Sequence, residues 1–253
     1  MFSGDSCKVT KLLHTCPATG LQKPFYFYRL NPENKMKTLY IATHNAHKTE
    51  EIRSVFGKFP ALMRQYTLGN LSELNFHQEI PETAGTLEGN ALQKAMFIHE
   101  KYKVDCFADD TGLEVPALGH RPGVYSARYA NMPEEFEETG LVTPQSLSLP
   151  DPTFEQNMDR LLAHLQGKPR QARFRTVICL ILNGQTYYFE GSAEGEILLE
   201  KQGIRGFGYD PVFRPTGFDK TFAELNLEEK NSISHRGKAL AALTAFLEKT
   251  DNR

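Results

Sequence analysis

The stretch Cys106-Phe107-Ala108-Asp109-Asp110-Thr111-Gly112-Leu113-Glu114-Val115 constrains this chain more than any other. Its apolar start reads as a strand that delivers two adjacent carboxylates and a glycine turn before a second apolar run begins. Successive strand residues point to opposite faces, so Asp109 and Asp110 cannot be routine core residues. Hard cations such as magnesium take carboxylate oxygens, and a strand end is a rigid place from which to offer them. Taken alone, the stretch fits a solvated Asp-Asp-Thr-Gly turn better than a metal site. The surrounding chain decides between the two.

Thr38-Leu39-Tyr40-Ile41-Ala42 reads as a buried strand and leads into Thr43-His44-Asn45-Ala46-His47-Lys48. A helix follows, with Ile52, Val55 and Phe56 on one face. Strand, polar turn and helix is a layout that holds phosphate, because helix N-terminal amides and a lysine both face the anion. The turn lacks the glycines of a Walker loop. Pro81-Glu82-Thr83-Ala84-Gly85-Thr86 opens a second helix whose apolar stripe is Leu87, Ala91, Ala95, Ile98 and Tyr102. Asn90 and Lys94 share a different, polar face, and spacing alone does not exclude that this face is solvated.

Further along, residues 131–153 are acidic and rich in Pro, Ser and Thr, and read as a long mobile loop. Phe154, Met158, Leu161, Leu162 and Leu165 then mark a helix. Phe174–Leu182, the Asn183-Gly184 turn and Gln185–Glu190 predict a hairpin. Gly203-Ile204-Arg205-Gly206-Phe207-Gly208-Tyr209-Asp210-Pro211 packs glycines around an aromatic. The closing helix buries Leu240, Leu243 and Leu247, with Ser232 or Ser234 as its cap. His235 and Arg236 then stand at its positive end, where the helix dipole disfavours cations, and a bound electron-rich group accounts for them there. Strands and helices intermix, which argues for an α/β fold with a mixed sheet.

Length permits one large domain or two small ones. The segment 1–36, broken by Pro17, Pro24 and Pro32 and holding one candidate strand at Phe25-Tyr26-Phe27-Tyr28, reads as an extension or a start-site artefact. The working domain is expected over 37–253. With 29 basic against 31 acidic residues, no basic field recruits long nucleic acids. Cys7, Cys16, Cys106 and Cys179 show no C-x-x-C spacing, and the latter two sit in apolar runs as buried thiols. No apolar run approaches a membrane span, so the cytoplasm is the expected location.

Five segments in order resemble the inosine/xanthosine triphosphate pyrophosphatases. They are Thr43–Lys48, Glu82-Thr83 through Asn90-Ala91, Ala108–Leu113, Pro122–Tyr129, and Gly206–Pro211 with Ser234-His235-Arg236. The resemblance covers residues 37–249. It implies an elongated mixed twisted sheet with flanking helices, two lobes around a central cleft, and a homodimer. It also implies magnesium-dependent hydrolysis of non-canonical purine nucleoside triphosphates to the monophosphate and pyrophosphate. Carried over by position, Asp110 is the proton acceptor and a metal ligand, with Glu82 and Asp109 as further metal ligands. The substrate contacts are Thr43, His44, Asn45, Ala46, His47, Lys48, Thr111, Phe207, Gly208, Tyr209, Asp210, Lys230, His235 and Arg236. The family often has glycine where this chain has His44, serine at Thr111 and glutamate at Gly89.

The residue types suit that chemistry. Lysine, turn amides and a divalent ion neutralise a triphosphate; Phe207 offers a stacking face; donor-only Arg236 suits the six-oxygen of hypoxanthine or xanthine and opposes adenine's amino group. The alternatives are a pyrophosphatase for other modified or pyrimidine triphosphates, and a nucleotide sensor that does not hydrolyse. All of these readings require the acidic corner at Asp109-Asp110 and the basic helix start at His235-Arg236 to face one cavity, a nucleotide's length apart.

Overall fold

The structure, a computed structural model, describes residues 36–140 and 142–250. The expectations for 1–35, including the strand at 25–28, lie outside the described residues. The unit that follows is Lys37–Arg253. Its strands are β1 (Lys37–Ile41), β2 (Tyr66–Gly69), β3 (Cys106–Val115), β4 (Arg121–Gly123), β5 (Gln171–Leu182), β6 (Gln185–Ile197) and β7 (Phe213–Pro215). Its helices are α1 (Ala46–Phe56), α2 (Pro60–Met63), α3 (Leu87–Tyr102), α4 (Phe136–Thr139), α5 (Pro144–Ser148), α6 (Phe154–His164), α7 (Leu227–Ile233) and α8 (His235–Thr250).

The strands make one mixed sheet in the order β2-β1-β3-β5-β6-β7, with β4 paired to β3 off that path. β1 runs parallel to β2 and β3, and the remaining pairs are antiparallel. Cys106–Ala108 of β3 and Val177–Leu182 of β5 are apolar without alternation because helices cover both faces there. On one face Phe107, Ile178, Leu180 and Leu182 pack with Ile52, Val55 and Phe56 of α1 and Leu240, Leu243 and Leu247 of α8. On the other, Cys106, Ala108, Val177, Cys179 and Ile181 pack with Leu87, Ala91, Ala95 and Ile98 of α3. Each such leucine or isoleucine side chain contributes roughly 1.5–3 kcal/mol by leaving water. A third cluster lies toward the far end of β3, where Leu113 and Val115 meet Met158, Leu161, Phe174, Phe213 and Phe222.

The strand period now assigns the two aspartates. Asp109 falls on the face of Phe107, under α1 and α8; Asp110 falls on the face of Ala108, under α3. No turn interrupts them. β3 continues unbroken through Gly112, which pairs with Arg175 of β5. A Cβ at Gly112 would lie 2.6 Å from the Gly123 carbonyl oxygen. That glycine therefore lets β4 approach closely instead of bending the chain.

Three other expectations are adjusted. The hairpin predicted from Asn183-Gly184 is present, but its strands extend to Gln171 and Ile197. The segment 131–153 carries two short helices. α5 starts with a Thr143–Ser146 capping box, and Phe136 of α4 packs edge-on against Tyr125 and Tyr129. Ser234 is the residue that caps α8: its hydroxyl accepts the Gly237 N–H at 3.1 Å, while Ser232 lies inside α7.

Candidate active site

A cavity of about 300 Å³ opens between the α3 side of the sheet, the start of α1 and the α7–α8 junction. Thr43, His44, Asn45, Lys48, Glu82, Lys94, Asp110, Thr111, Phe207 and Arg236 all line it, so residues from five separate segments of the sequence converge there. A more open depression beyond α1 shares only Thr43 and His44 with it.

The turn after β1 is shaped by its own side chains. Asn45 caps α1 by accepting the Lys48 N–H at 3.1 Å, and Thr43 Oγ1 accepts the Asn45 N–H at 3.2 Å. His44 is held aside, its ring stacked on Phe76 and its Nε2 at 2.9 Å from the Gln78 carbonyl. It is absent from the positive-φ residues, so this turn has no need of the glycine its relatives often carry. Ala46 and His47 do not line the cavity. His47 instead stacks on Phe207 with ring centroids 5.2 Å apart.

On the α3 face, Lys94 Nζ lies 2.5 Å from Glu82 Oε1 and 3.4 Å from Asp110 Oδ1. Asn90 donates to the other Asp110 oxygen at 3.1 Å. Burial pushes the Asp110 carboxyl above the usual carboxylate range, with Lys94 opposing. Burial would also lower Lys94, but Asp110 and Glu82 outweigh it and hold the ammonium charged. Asn90 and Lys94, whose spacing left a solvated face open, are thus buried beside Asp110.

On the opposite face, Asp109 Oδ2 accepts from Lys48 Nζ at 3.1 Å and from Arg236 Nε and Nη2 at 3.1 Å each. Burial would raise Asp109, but Lys48 and Arg236 override it and hold the carboxyl well below its ordinary range. Arg236 also donates to Glu51 and to Thr111 Oγ1, the latter at 3.1 Å. Lys230 Nζ bridges Glu51 and Asp210, at 2.6 Å from each. Glu51 was missed in the sequence because an acidic residue on an amphipathic helix looks like its solvated face. Removing one partner from such a buried network costs roughly 3–5 kcal/mol, since it strands a charge.

The carboxylates expected to gather around one metal therefore divide. Glu82 and Asp110 converge on Lys94, whereas Asp109 turns to Lys48 and Arg236. Among the described residues no group of three His, Cys, Asp or Glu side chains is arranged to hold a metal ion. The acidic and basic corners do share a cavity, but Asp109 and Arg236 touch where a nucleotide's length was expected. The pairing also revises why two basic residues stand at a helix start. Glu51 and Asp109 compensate Arg236, and burial, followed by the Arg236 charge, pushes His235 well below its ordinary value and keeps it neutral.

The Gly-Phe-Gly loop is set by Asp210, whose carboxylate accepts the Phe207 N–H at 2.8 Å. Gly206 has φ +73°, and a Cβ there would lie 2.1 Å from Asp210 Oδ2, so only glycine fits. Tyr209 donates its hydroxyl to the Ser126 carbonyl at 2.8 Å, anchoring the loop to the segment after β4. The Phe207 ring is within 5.5 Å of Arg236 Cζ and 5.0 Å of Lys230 Nζ. His235 stacks on Phe174 with centroids 4.5 Å apart.

These features define a mixed α/β protein with a nucleotide-sized cleft, in which a phosphate-type turn, buried acids and an aromatic platform meet. The family model described as Ham1 family matches residues 39–246, and the chain belongs to that family. It is 46% identical over 213 residues to a dITP/XTP pyrophosphatase of Flavobacterium johnsoniae, covering 84% of this chain and 98% of that protein. It is 45% identical over 214 residues to one of Porphyromonas gingivalis, covering 84% and 98%. Among solved structures, the Ham1 protein of Staphylococcus aureus matches with TM-score 0.67 at 36% identity, covering 85% of this chain and all of that one. The HAM1 protein of Coxiella burnetii matches with TM-score 0.69 at 31% identity and the same coverage.

Proposed function

We propose that this chain hydrolyses non-canonical purine nucleoside triphosphates, those of inosine, deoxyinosine and xanthosine, to the monophosphate and pyrophosphate. The observation that carries this reading is the single cavity in which Lys48 with its strand-to-helix turn, buried Asp110 and the Phe207–Arg236 platform are all accessible to one ligand. Lys48 and the first amides of α1 would receive the phosphate chain. A water oxygen attacks the α-phosphorus and the bond to the bridging oxygen of the β-phosphate breaks. Pyrophosphate leaves with that electron pair, and Asp110 accepts the water proton. Lys94 and Asn90 fix the Asp110 carboxylate for that task.

Arg236 brings five N–H groups. Asp109, Glu51 and Thr111 engage Nε, Nη1 and Nη2, which leaves one Nη1 hydrogen to meet the six-oxygen of the base. Adenine would present an amino group to that donor, leaving both unpaired in a buried site.

Magnesium fits the donor set. Glu82 and Asp110 are hard oxygen donors that already converge on one cation, the Lys94 ammonium. Magnesium sites of this kind use one or two carboxylates and leave the rest to phosphate and water. In addition, the lining cations Lys48, Lys94, Arg128, Lys230 and Arg236 are matched by Glu79, Glu82, Asp110, Asp151 and Asp210, so the site has no surplus positive charge for a triphosphate. The bound ion would supply that charge and acidify a coordinated water. The protein would act in the cytoplasm as a homodimer; among the described residues no helix is long and apolar enough to cross a membrane.

Pyrophosphate release from inosine, xanthosine, adenosine, guanosine and thymidine triphosphates, with and without magnesium, tests the proposal. Release confined to the first two and dependent on the metal is expected. Equal turnover of adenosine triphosphate would refute the base assignment.

A further inference from the structure

Asp109 was expected beside the metal, yet its carboxylate sits on the other face of β3 and is 2% exposed. One oxygen, Oδ2, takes the whole load. It accepts from Lys48 at 3.1 Å, twice from Arg236 at 3.1 Å, and from Thr111 Oγ1 at 3.3 Å. The second oxygen, Oδ1, is buried with no hydrogen-bond partner. Two cations that face different parts of the cavity thus compete for a single oxygen.

We infer that Asp109 is a positioning residue that couples the two ends of the cleft: by dividing one charge between Arg236 and Lys48, it makes the state of the base-side arginine set how much of the lysine is free for phosphate. This rests on the nucleotide reading given above. Arg236 is also within 5.5 Å of the Phe207 ring centroid, so a base settling on Phe207 must disturb the arginine. Glu51 anchors Arg236 from the far side and shares itself with Lys230. The arginine therefore responds along the Asp109 contact instead of swinging free. If Arg236 is lost, the whole Asp109 charge falls on Lys48 and withdraws it from an incoming anion. Coupling of this kind is reciprocal, since a change in one ligand's affinity by the other must be returned in equal measure.

Inorganic tripolyphosphate carries the phosphate chain without a base, and its binding can be measured by calorimetry in the presence of magnesium, without turnover. The proteins compared are the full-length wild type, Arg236→Ala, Asp109→Asn and the double variant. Arg236→Ala should weaken tripolyphosphate about tenfold in the wild-type background, within the usual range of coupling between sites. In the Asp109→Asn background the same change should cost less than about twofold, the limit of simple additivity. Equal losses in both backgrounds are what removal of one charge from a general field gives, and they overturn the inference. So does no loss in either.

Arg236→Lys keeps the charge but not the planar fork, and it covers the case in which Arg236→Ala does not fold. It should weaken tripolyphosphate about threefold, as a conservative change at a bidentate site does not conserve the contact; wild-type affinity in that variant overturns the coupling. Failure of the wild type to bind tripolyphosphate at all would instead bring down the nucleotide reading, and the inference with it.

Discussion

Asp110 and His235 show how the same burial acts oppositely on an acid and a base. Burial raises the Asp110 carboxyl, so it holds a proton to a higher pH than an exposed aspartate. A base of this kind works ionised and a bound magnesium lowers it, so the acid limb of kcat/KM should move to lower pH as magnesium is raised. Asp110→Asn should lower turnover by about 10²–10⁴-fold while inosine triphosphate still binds; a pH–rate profile and a binding isotherm check the two halves separately. His235 is buried and held neutral. Below about pH 6.5 the unfolded chain takes up a proton that the folded histidine refuses. Stability is therefore full above that pH and declines below it, by up to ~1.4 kcal/mol per pH unit. Urea unfolding between pH 5 and 7 should show this slope in the wild type and a shallower one in His235→Gln.

Elements carry these residues to the site, and the junction of β6 with α8 is one of the close placements. A Cβ at Gly191 would lie 2.2 Å from the His235 carbonyl oxygen and 2.5 Å from the Ala239 nitrogen. Both obstacles are backbone, so the helix start must move if the side chain grows. Gly191→Ala should cost about 1–3 kcal/mol, the usual range for overpacking, and should shift the denaturation midpoint. It should also raise KM, because α8 presents Arg236 in its first turn. Unchanged stability would mean that the helix start has more freedom than this contact allows. Lys48 and Arg236 sit in the first turns of α1 and α8 and Lys94 midway along α3, while Asp109 and Asp110 lie on the central strand and Glu51 on α1.

For the molecule as a whole, the sheet separates two functions that the Asp-Asp pair joins. Its α3 face holds Asp110, the proposed proton acceptor, with Lys94 and Asn90, and its α1–α8 face holds the charge network that reaches the proposed base platform at Phe207. Cys106 and Cys179 lie in the α3-face core with burial pushing both thiols up to about 12, so they are packing residues and not reagents. The homodimer proposed for this chain predicts sedimentation at the mass of two chains; a single-chain mass at micromolar concentration would rule it out.

Periodicity and turn chemistry, read along the chain, set β1, α1, α3, the β5–β6 hairpin and α8, because each pattern repeats within a few residues. Motif order also set the family and most of the cavity lining. The pairings came only with the tertiary structure. Glu51 meets Arg236 across 185 residues and Asp109 meets it across 127, separations at which no local pattern remains. The strand period says that Asp109 and Asp110 face opposite ways, but not which helix covers either face. Helix packing makes that choice: it sets one aspartate beside Lys94 and Asn90 and makes the other an arginine's counter-charge.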